Sequence, residues 1–427
     1  MILEFTAKNF LSIKDEVTLS MVASKDPAYE DNLLSYTDGK KEKKALKTAV
    51  IYGANASGKT NILKAMKFMS WFVSESHNMQ QGRKIPVESF KLSKETINEP
   101  SEFNIIFTHE GIKYQYGFAA TVNEVFEEYL YYYPNGRQSL IFERENVTDY
   151  KFTVDVEKQM EIKRKFDSPN KLFLSTLSLW EYERAKPAFD WFNNYLDIFI
   201  DHEGLEVLTG KIMDEDDEFA SLVKKYIRYA DMDIDNIDVE INEGDEILTS
   251  KMFQVLPDKE QNRIKVDIQG KKLIKINTIH NILDEDGNIT MSAEFSLGDE
   301  SDGTQKFFGI LGPWIHALIT GSTIVIDELD IRLHTLLVKK LVDMFMNSNI
   351  NKNNAQLIFS THDTNLLDSN IFRRDQIYFT EKKEDKSTDL YSLYDFRGVR
   401  NSANIEKGYL QGKYGAIPVL KGEWIWD

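Results

Sequence analysis

The sequence predicts an α/β protein with a mixed sheet, an antiparallel β lobe and an inserted lobe of helices and strands. Three observations predict it. Short runs rich in β-formers occur at Thr48–Tyr52, Thr323–Ile326 and Gln356–Phe359, and each ends at small or polar residues. The first passes through a Gly-containing turn into a helical pattern, with Ile62, Leu63, Met66, Met69 and Phe72 on one face. Between residues 86 and 150, apolar segments are separated by tight turns, the habit of antiparallel hairpins.

Along the chain, Ile2–Ala7 and Glu16–Met21 read as strands, and Asp38–Lys44 as a polar, Lys-rich loop. Phe103–Thr108 and Ile112–Phe118 flank His109-Glu110-Gly111, while Tyr129–Tyr133 and Ser139–Glu143 flank Pro134-Asn135-Gly136. The tyrosine run suits either strand packing or a platform for stacked bases. Asp155–Tyr229 carries helical signals, and Ile237–Ile241 and Lys265–Leu283 return to strands, the latter ending at the turn Asp284–Asn288. The expected domains are 1–154, the first half of an α/β head with the β lobe; 155–246, a mainly helical insert; and 247–427, the second half of the head. No repeat and no long heptad array is present, which argues against a long coiled-coil arm.

Bulk composition narrows the function classes. The 427 residues include 52 basic and 69 acidic side chains, a net charge of −17, so an extensive coat of nucleic acid is disfavoured while a local basic groove is not. The absence of cysteine removes disulfides, thiolate catalysis and Cys-ligated zinc, and fits a reducing cytoplasm. The N-terminus lacks a signal-peptide pattern. Phe307–Ile326 is largely apolar, but its Gly, Pro and His content and its end at two carboxylates read as buried helix, turn and buried strand rather than a membrane span.

Five motifs carry chemistry. Gly53-Ala54-Asn55-Ala56-Ser57-Gly58-Lys59-Thr60 matches GxxxxGK[ST] between a strand and a helix. Its backbone amides and the helix N-terminus would hold the phosphates of ATP, with Gly53, Asn55, Ser57, Gly58, Lys59, Thr60 and Asn61 around the nucleotide. Lys59 would reach the β- and γ-phosphates, and the Thr60 hydroxyl would ligate Mg2+. Asp327 and Glu328 close the second β run; Asp327 would hold Mg2+ and Glu328 would polarise the attacking water. Glu300-Ser301-Asp302-Gly303-Thr304-Gln305-Lys306 opens the apolar helix, as an anion site or an ordinary N-cap. Gln356–Asp363 is a strand ending in Ser-Thr-His, whose His362 can sense a γ-phosphate. Leu329–His334 follows Glu328; Asp330 or His334 would touch an opposing site, or Asp330 would cap the turn. Asp231–Asp235 fails as a calcium loop, because Asn236 stands where Gly is needed and Asn242 where Glu is needed. Nothing else has metal-ligand spacing, and no nucleophile–base pairing stands out.

In this order the motifs resemble ABC-type ATPase heads of the compact SMC/RecF/OLD-like branch, specifically bacterial AAA-family ATPases typified by the RloA and AbiL abortive-infection proteins. Ser301 and Gly303 fall in the slots of the ABC signature; Glu300 replaces its usual leucine, and Thr304 stands where glutamine is usual. Lys8–Lys14, Thr278-Ile279-His280 and Tyr409–Pro418 also fit that group. The resemblance implies a head-to-tail homodimer in which Ser301, Gly303 and Thr304 face the partner's nucleotide. It also implies an operon-encoded effector, often a TOPRIM-type nuclease. Leu172–Thr176 occupies the place of the family's Gln-bearing loop and holds no Gln. The expected function is a Mg2+-dependent ATPase, with Glu328, His362 and Lys59 catalytic, controlling an effector in phage defence. A RecF-like head on duplex DNA and an ATP-dependent clamp with little turnover are the alternatives.

Overall fold

The computed structural model describes residues 1–166, 168–230, 232–243, 272–367, 371–399 and 403–418, with isolated positions between 248 and 270. The chain divides into two compact units: Met1–Ile200 with Ala317–Ile331 and Val338–Asp427, and Asp201–His316 with Arg332–Leu337.

The first unit is built on a six-stranded sheet in the order β11 (Leu196–Phe199), β15 (Thr323–Ile326), β16 (Gln356–Ser360), β5 (Thr48–Gly53), β17 (Ile377–Lys382), β18 (Thr388–Ser392). The first five are parallel and β18 is antiparallel, the mixed sheet expected from the sequence. Every residue of β5, β15 and β16 is buried, so these strands read as unbroken apolar runs rather than alternations.

A second sheet, antiparallel throughout, has the order β10 (Asp149–Phe152), β9 (Ser139–Glu145), β8 (Val125–Tyr133), β7 (Ile112–Ala120), β6 (Ser101–His109), β1 (Ile2–Lys8), β2 (Val17–Ser20). β6 buries alternate residues, the period-2 signature of a half-covered strand. Helix α1 (Lys59–Glu75) covers it: Phe72, from the apolar face read from the sequence, meets Phe118 at 5.5 Å between ring centroids, and Phe68, which that reading left out, meets Phe103 at 5.1 Å. The two sheets are stitched by buried Gln356 of β16, which accepts from the Ile2 N–H at 2.6 Å and donates to the Ile2 carbonyl at 3.1 Å.

Two segments differ from expectation. The Lys-rich loop is largely a strand: β3 (Leu33–Asp38) and β4 (Lys41–Leu46) form a two-stranded ribbon turning at Gly39 and Lys40. Its lysines are solvated, and one of them, Lys43, pairs with Asp38 at 2.6 Å, so β4 lacks the apolar alternation that would reveal it. The second is β11, inside a stretch of helical signals: α2 (Val156–Phe166), α3 (Phe173–Leu179), α4 (Lys186–Asn194), α5 (Leu205–Glu215) and α6 (Asp217–Tyr229). Four residues at a sheet edge are too few to show a period.

In the second unit β12 (Asn236–Glu243), β13 (Lys272–Leu283) and β14 (Ile289–Ser296) form an antiparallel sheet. α5 packs on it where Gly210 lies against Ile274 and Ile276. Most of the strand expected over 265–271, and Asp231 of the rejected calcium loop, lie outside the described residues. The turn at Asp284–Asn288 is present, with the Asn288 N–H on the Asp284 carboxylate at 2.8 Å. Phe307–Ile326 forms most of α7 (Asp302–Thr320), a turn at Gly321 (φ 76°) and β15; among the described residues no helix is long and apolar enough to cross a membrane. Helices α8 (Thr335–Met346) and α9 (Ile405–Leu410) complete the elements used below.

Candidate functional site

The sheet order places β16 between β5 and β15. All three are parallel, so their C-terminal ends deliver the phosphate loop, Ser360–His362 and Asp327-Glu328 to one edge, the usual ligand side of an open α/β sheet.

β5 ends at Gly53, and α1 begins at Lys59 behind Gly58, which is left-handed at φ 115°. Ala56 is also left-handed at φ 63°, a conformation that turns successive amides inward as an anion nest. The Lys59 ammonium is nearly buried and donates to the Gly53 carbonyl at 2.9 Å. Burial holds its pKa below the usual lysine value, and the carboxylates of Asp327, Glu328 and Asp330 oppose that shift. Thr60 follows on the first turn. Asn61 turns its amide to the Ser12 hydroxyl at 2.7 Å, and Asn55 is exposed.

Asp327 is 4% exposed. The Ser360 hydroxyl donates to its carboxylate in a short hydrogen bond and accepts the Glu328 N–H at 2.8 Å. Glu328 is left-handed at φ 46°, and its neighbour Leu329 bonds the Ser360 carbonyl at 3.1 Å. β16 therefore fixes the backbone of Glu328, whose side chain is half exposed. His362 Nε2 lies 4.0 Å from the Glu328 carboxylate. Burial, then the nearby Lys59 charge, lowers the His362 pKa, so the ring is neutral near pH 7 and able to accept or donate a hydrogen bond. Asp330 accepts the His362 backbone N–H at 3.3 Å, a tie between the ends of β15 and β16 that neither of its sequence readings foresaw.

Ser301, Gly303 and Thr304 lie in the second unit. The Ser301 hydroxyl accepts the Thr304 N–H at 3.2 Å and pairs with the Thr304 hydroxyl at 2.9 Å, an N-cap for the 19-residue α7. A Cβ at Gly303 would stand 2.9 Å from the Arg332 carbonyl, so a larger residue would push the two segments apart. Glu300, where the signature has leucine, accepts from Thr278 at 2.5 Å and pairs with His280 at 2.8 Å, which gives the Thr278-Ile279-His280 stretch a physical role. His334 accepts the Leu336 N–H at 3.2 Å at the start of α8.

The tyrosines of β8 are tied down across the sheet: Tyr129 to Asn104 at 2.9 Å, Tyr131 to Glu143 at 2.9 Å, Tyr133 to Gln115 at 3.0 Å. These bonds anchor the hydroxyls across the sheet, as strand packing requires. Among the described residues no group of three or more His, Asp or Glu has the geometry of a metal cluster. Ser360 received no role from the sequence alone; its motif was visible, but its bonds to Asp327 and Glu328 arise from strand pairing.

The profile of a protein family described as "AAA domain, putative AbiEii toxin, Type IV TA system" matches residues 49–368. Solved structures similar to the chain include the SMC head domain from Thermotoga maritima (TM-score 0.39, 12% identity, covering 92% of this chain and 98% of that one). Another is the SmcHead bound to the C-winged helix domain of ScpA (0.38, 12%, 92% and 97%). A third is the Smc head domain with an extended coiled coil bound to the C-terminal domain of ScpA derived from Pyrococcus furiosus (0.38, 13%, 92% and 96%). No curated protein matches.

Proposed function

The chain belongs to this AAA-domain family, and from that premise we propose that it binds ATP with Mg2+ and hydrolyses its β–γ phosphoanhydride bond, releasing ADP and phosphate. One observation carries the reading: buried Lys59 in a left-handed phosphate loop stands on the same sheet edge as an Asp-Glu pair held by Ser360.

Gly53, Asn55, Ser57, Gly58, Thr60 and Asn61 line the loop, whose amides receive the α- and β-phosphates. Lys59 exchanges the Gly53 carbonyl for phosphate oxygens. Thr60 and buried Asp327 offer the hard oxygen donors that Mg2+ takes, and when bound the ion neutralises charge on the β- and γ-phosphates. Glu328, half exposed, orients the attacking water and accepts its proton. Neutral His362 beside it hydrogen-bonds the γ-phosphate and registers its loss.

Ser301, Gly303 and Thr304 would present the positive end of α7 to the nucleotide of a second copy in a head-to-tail dimer. A nucleotide site with no second catalytic constellation among the described residues suits a protein that acts through another, and the family's description as a putative toxin of a toxin–antitoxin system favours a defence setting. The partner would be an effector encoded alongside, and a net charge of −17 favours a basic surface on it. Purification of the tagged chain from its native operon should recover that effector. Recovery of the ATPase alone, with duplex-DNA binding that survives physiological salt, would overturn the effector reading in favour of a repair head.

A further inference from the structure

We propose that Thr388, with Ser12 and Thr380, holds the phosphate loop in its anion-receiving shape before nucleotide arrives, so that Thr388 is a positioning residue for the β-phosphate. The proposal rests on the reading that this loop binds ATP.

The loop holds a conformation it would not keep unaided. Ala56 is left-handed at φ 63° without being glycine, and such a residue persists where its surroundings over-determine it. The surroundings are a relay of hydroxyls. Asn61 Nδ2 donates to Ser12 Oγ at 2.7 Å, Ser12 Oγ lies 2.7 Å from Thr388 Oγ1, and Thr388 Oγ1 donates to the Ser57 carbonyl at 2.9 Å. Each hydroxyl has one proton. Because Thr388 gives its proton to Ser57, Ser12 must give its own to Thr388, and the Asn61 amide fills the remaining lone pair of Ser12. All protons point one way, from the first turn of α1 to the carbonyl next to Ala56, an arrangement in which each bond strengthens the next.

A second pin comes from Thr380. Its hydroxyl lies 2.6 Å from Ser57 Oγ and donates to the Tyr52 carbonyl at 3.3 Å. Ser57, Thr380 and Thr388 are at most 2% exposed, so water does not replace a lost bond. The glycines of the motif answer to these threonines. A Cβ at Gly53 would collide with the Thr380 hydroxyl, and one at Gly58 with that of Thr388. Thr388 is itself anchored, its N–H on the Ser12 carbonyl at 2.8 Å, and the β17–β18 turn is tied to the same N-terminal loop by Lys14–Asp385 at 2.9 Å. The nest is thus formed from outside, and binding need not supply the cost of ordering it.

The pin lies under the part of the loop that cradles the α- and β-phosphates, so ADP and ATP should feel it equally. The test is Thr388→Val, which keeps the shape and removes the hydroxyl, in the full-length chain. Calorimetry with Mg-ADP and with a non-hydrolysable Mg-ATP analogue should show both Kd values raised by the same factor, about tenfold. Turnover at saturating ATP should stay within about twofold, and Thr388→Ser should restore wild-type affinity. If melting shows Thr388→Val unfolded, Ser12→Ala breaks the same relay one step earlier and should give the same split. Unchanged affinity, weakening of the ATP analogue but not ADP, or a loss confined to kcat overturns the positioning role. A wild type that binds neither nucleotide overturns the ATP reading as well.

Discussion

Ser360→Ala isolates the contribution of one hydroxyl to the proposed hydrolytic pair. Ser360 donates to buried Asp327 and accepts the Glu328 amide at 2.8 Å, two bonds made by one side chain. The first is charge-assisted, worth about 2 kcal/mol; the second is neutral, worth about 1 kcal/mol. Together they set the two carboxyl positions to within about 3 kcal/mol, or about 100-fold in rate when the whole of it is felt in the reacting geometry. Nucleotide affinity depends on the phosphate loop, which Ser360 does not touch, so it should change little. The assay is phosphate release at saturating Mg-ATP, with calorimetric Kd measured alongside. A kcat within twofold of wild type, in a protein that is folded and binds nucleotide, would refute the idea that Ser360 positions Asp327 and Glu328.

Three further outcomes follow from the same geometry. Lys59→Ala should weaken Mg-ATP binding at least about 100-fold, because it removes the cation from the loop; unchanged calorimetry would remove the loop's assignment. Ser301→Arg should bind nucleotide yet fail to turn it over, and mixing it with Glu328→Gln protein should restore part of the activity through the one intact composite site. No recovery on mixing counts against the trans dimer, and Ser301→Ala separates that effect from the cap's own contribution of about 1 kcal/mol. Glu128→Ala should lower unfolding free energy by about 3 kcal/mol in denaturant titration. The buried carboxylate accepts the N–H groups of Phe173 and Leu174 at 2.6 and 2.9 Å and the Tyr116 hydroxyl at 2.9 Å, and alanine would strand all three donors.

Much of this fold was legible because buried parallel strands and a phosphate loop have local signatures. β5, β15 and β16 are buried along their length with apolar centres, and the residues at their ends are those the motifs pick out. The hairpins were legible from their turns, as at Glu110-Gly111, left-handed at φ 50° and 74°. The ribbon β3–β4 and the edge strand β11 were not, since one has solvated lysines where a core face would show and the other is four residues long. The side chains that shape the site, Ser12, Thr380 and Thr388, carry no local signal at all. Thr380 and Thr388 stand more than 300 residues from Ser12 and from Ser57, and they reach the loop only because β17 pairs with β5 and β18 closes the edge beside it. Asp330 was left between two roles by its sequence position, and its bond to the His362 amide exists only because β15 and β16 are neighbours.

The most direct test of the account is Glu328→Gln measured in two ways on one preparation. Glutamine keeps the size and hydrogen-bonding capacity of the side chain and loses the ability to take the water's proton. Mg-ATP binding should match wild type within about twofold, while phosphate release falls at least about 100-fold, the scale of general-base catalysis. Full turnover in Glu328→Gln would contradict the account, because the base would then lie elsewhere and the Asp-Glu pair on β15 would be no more than the capped end of a strand.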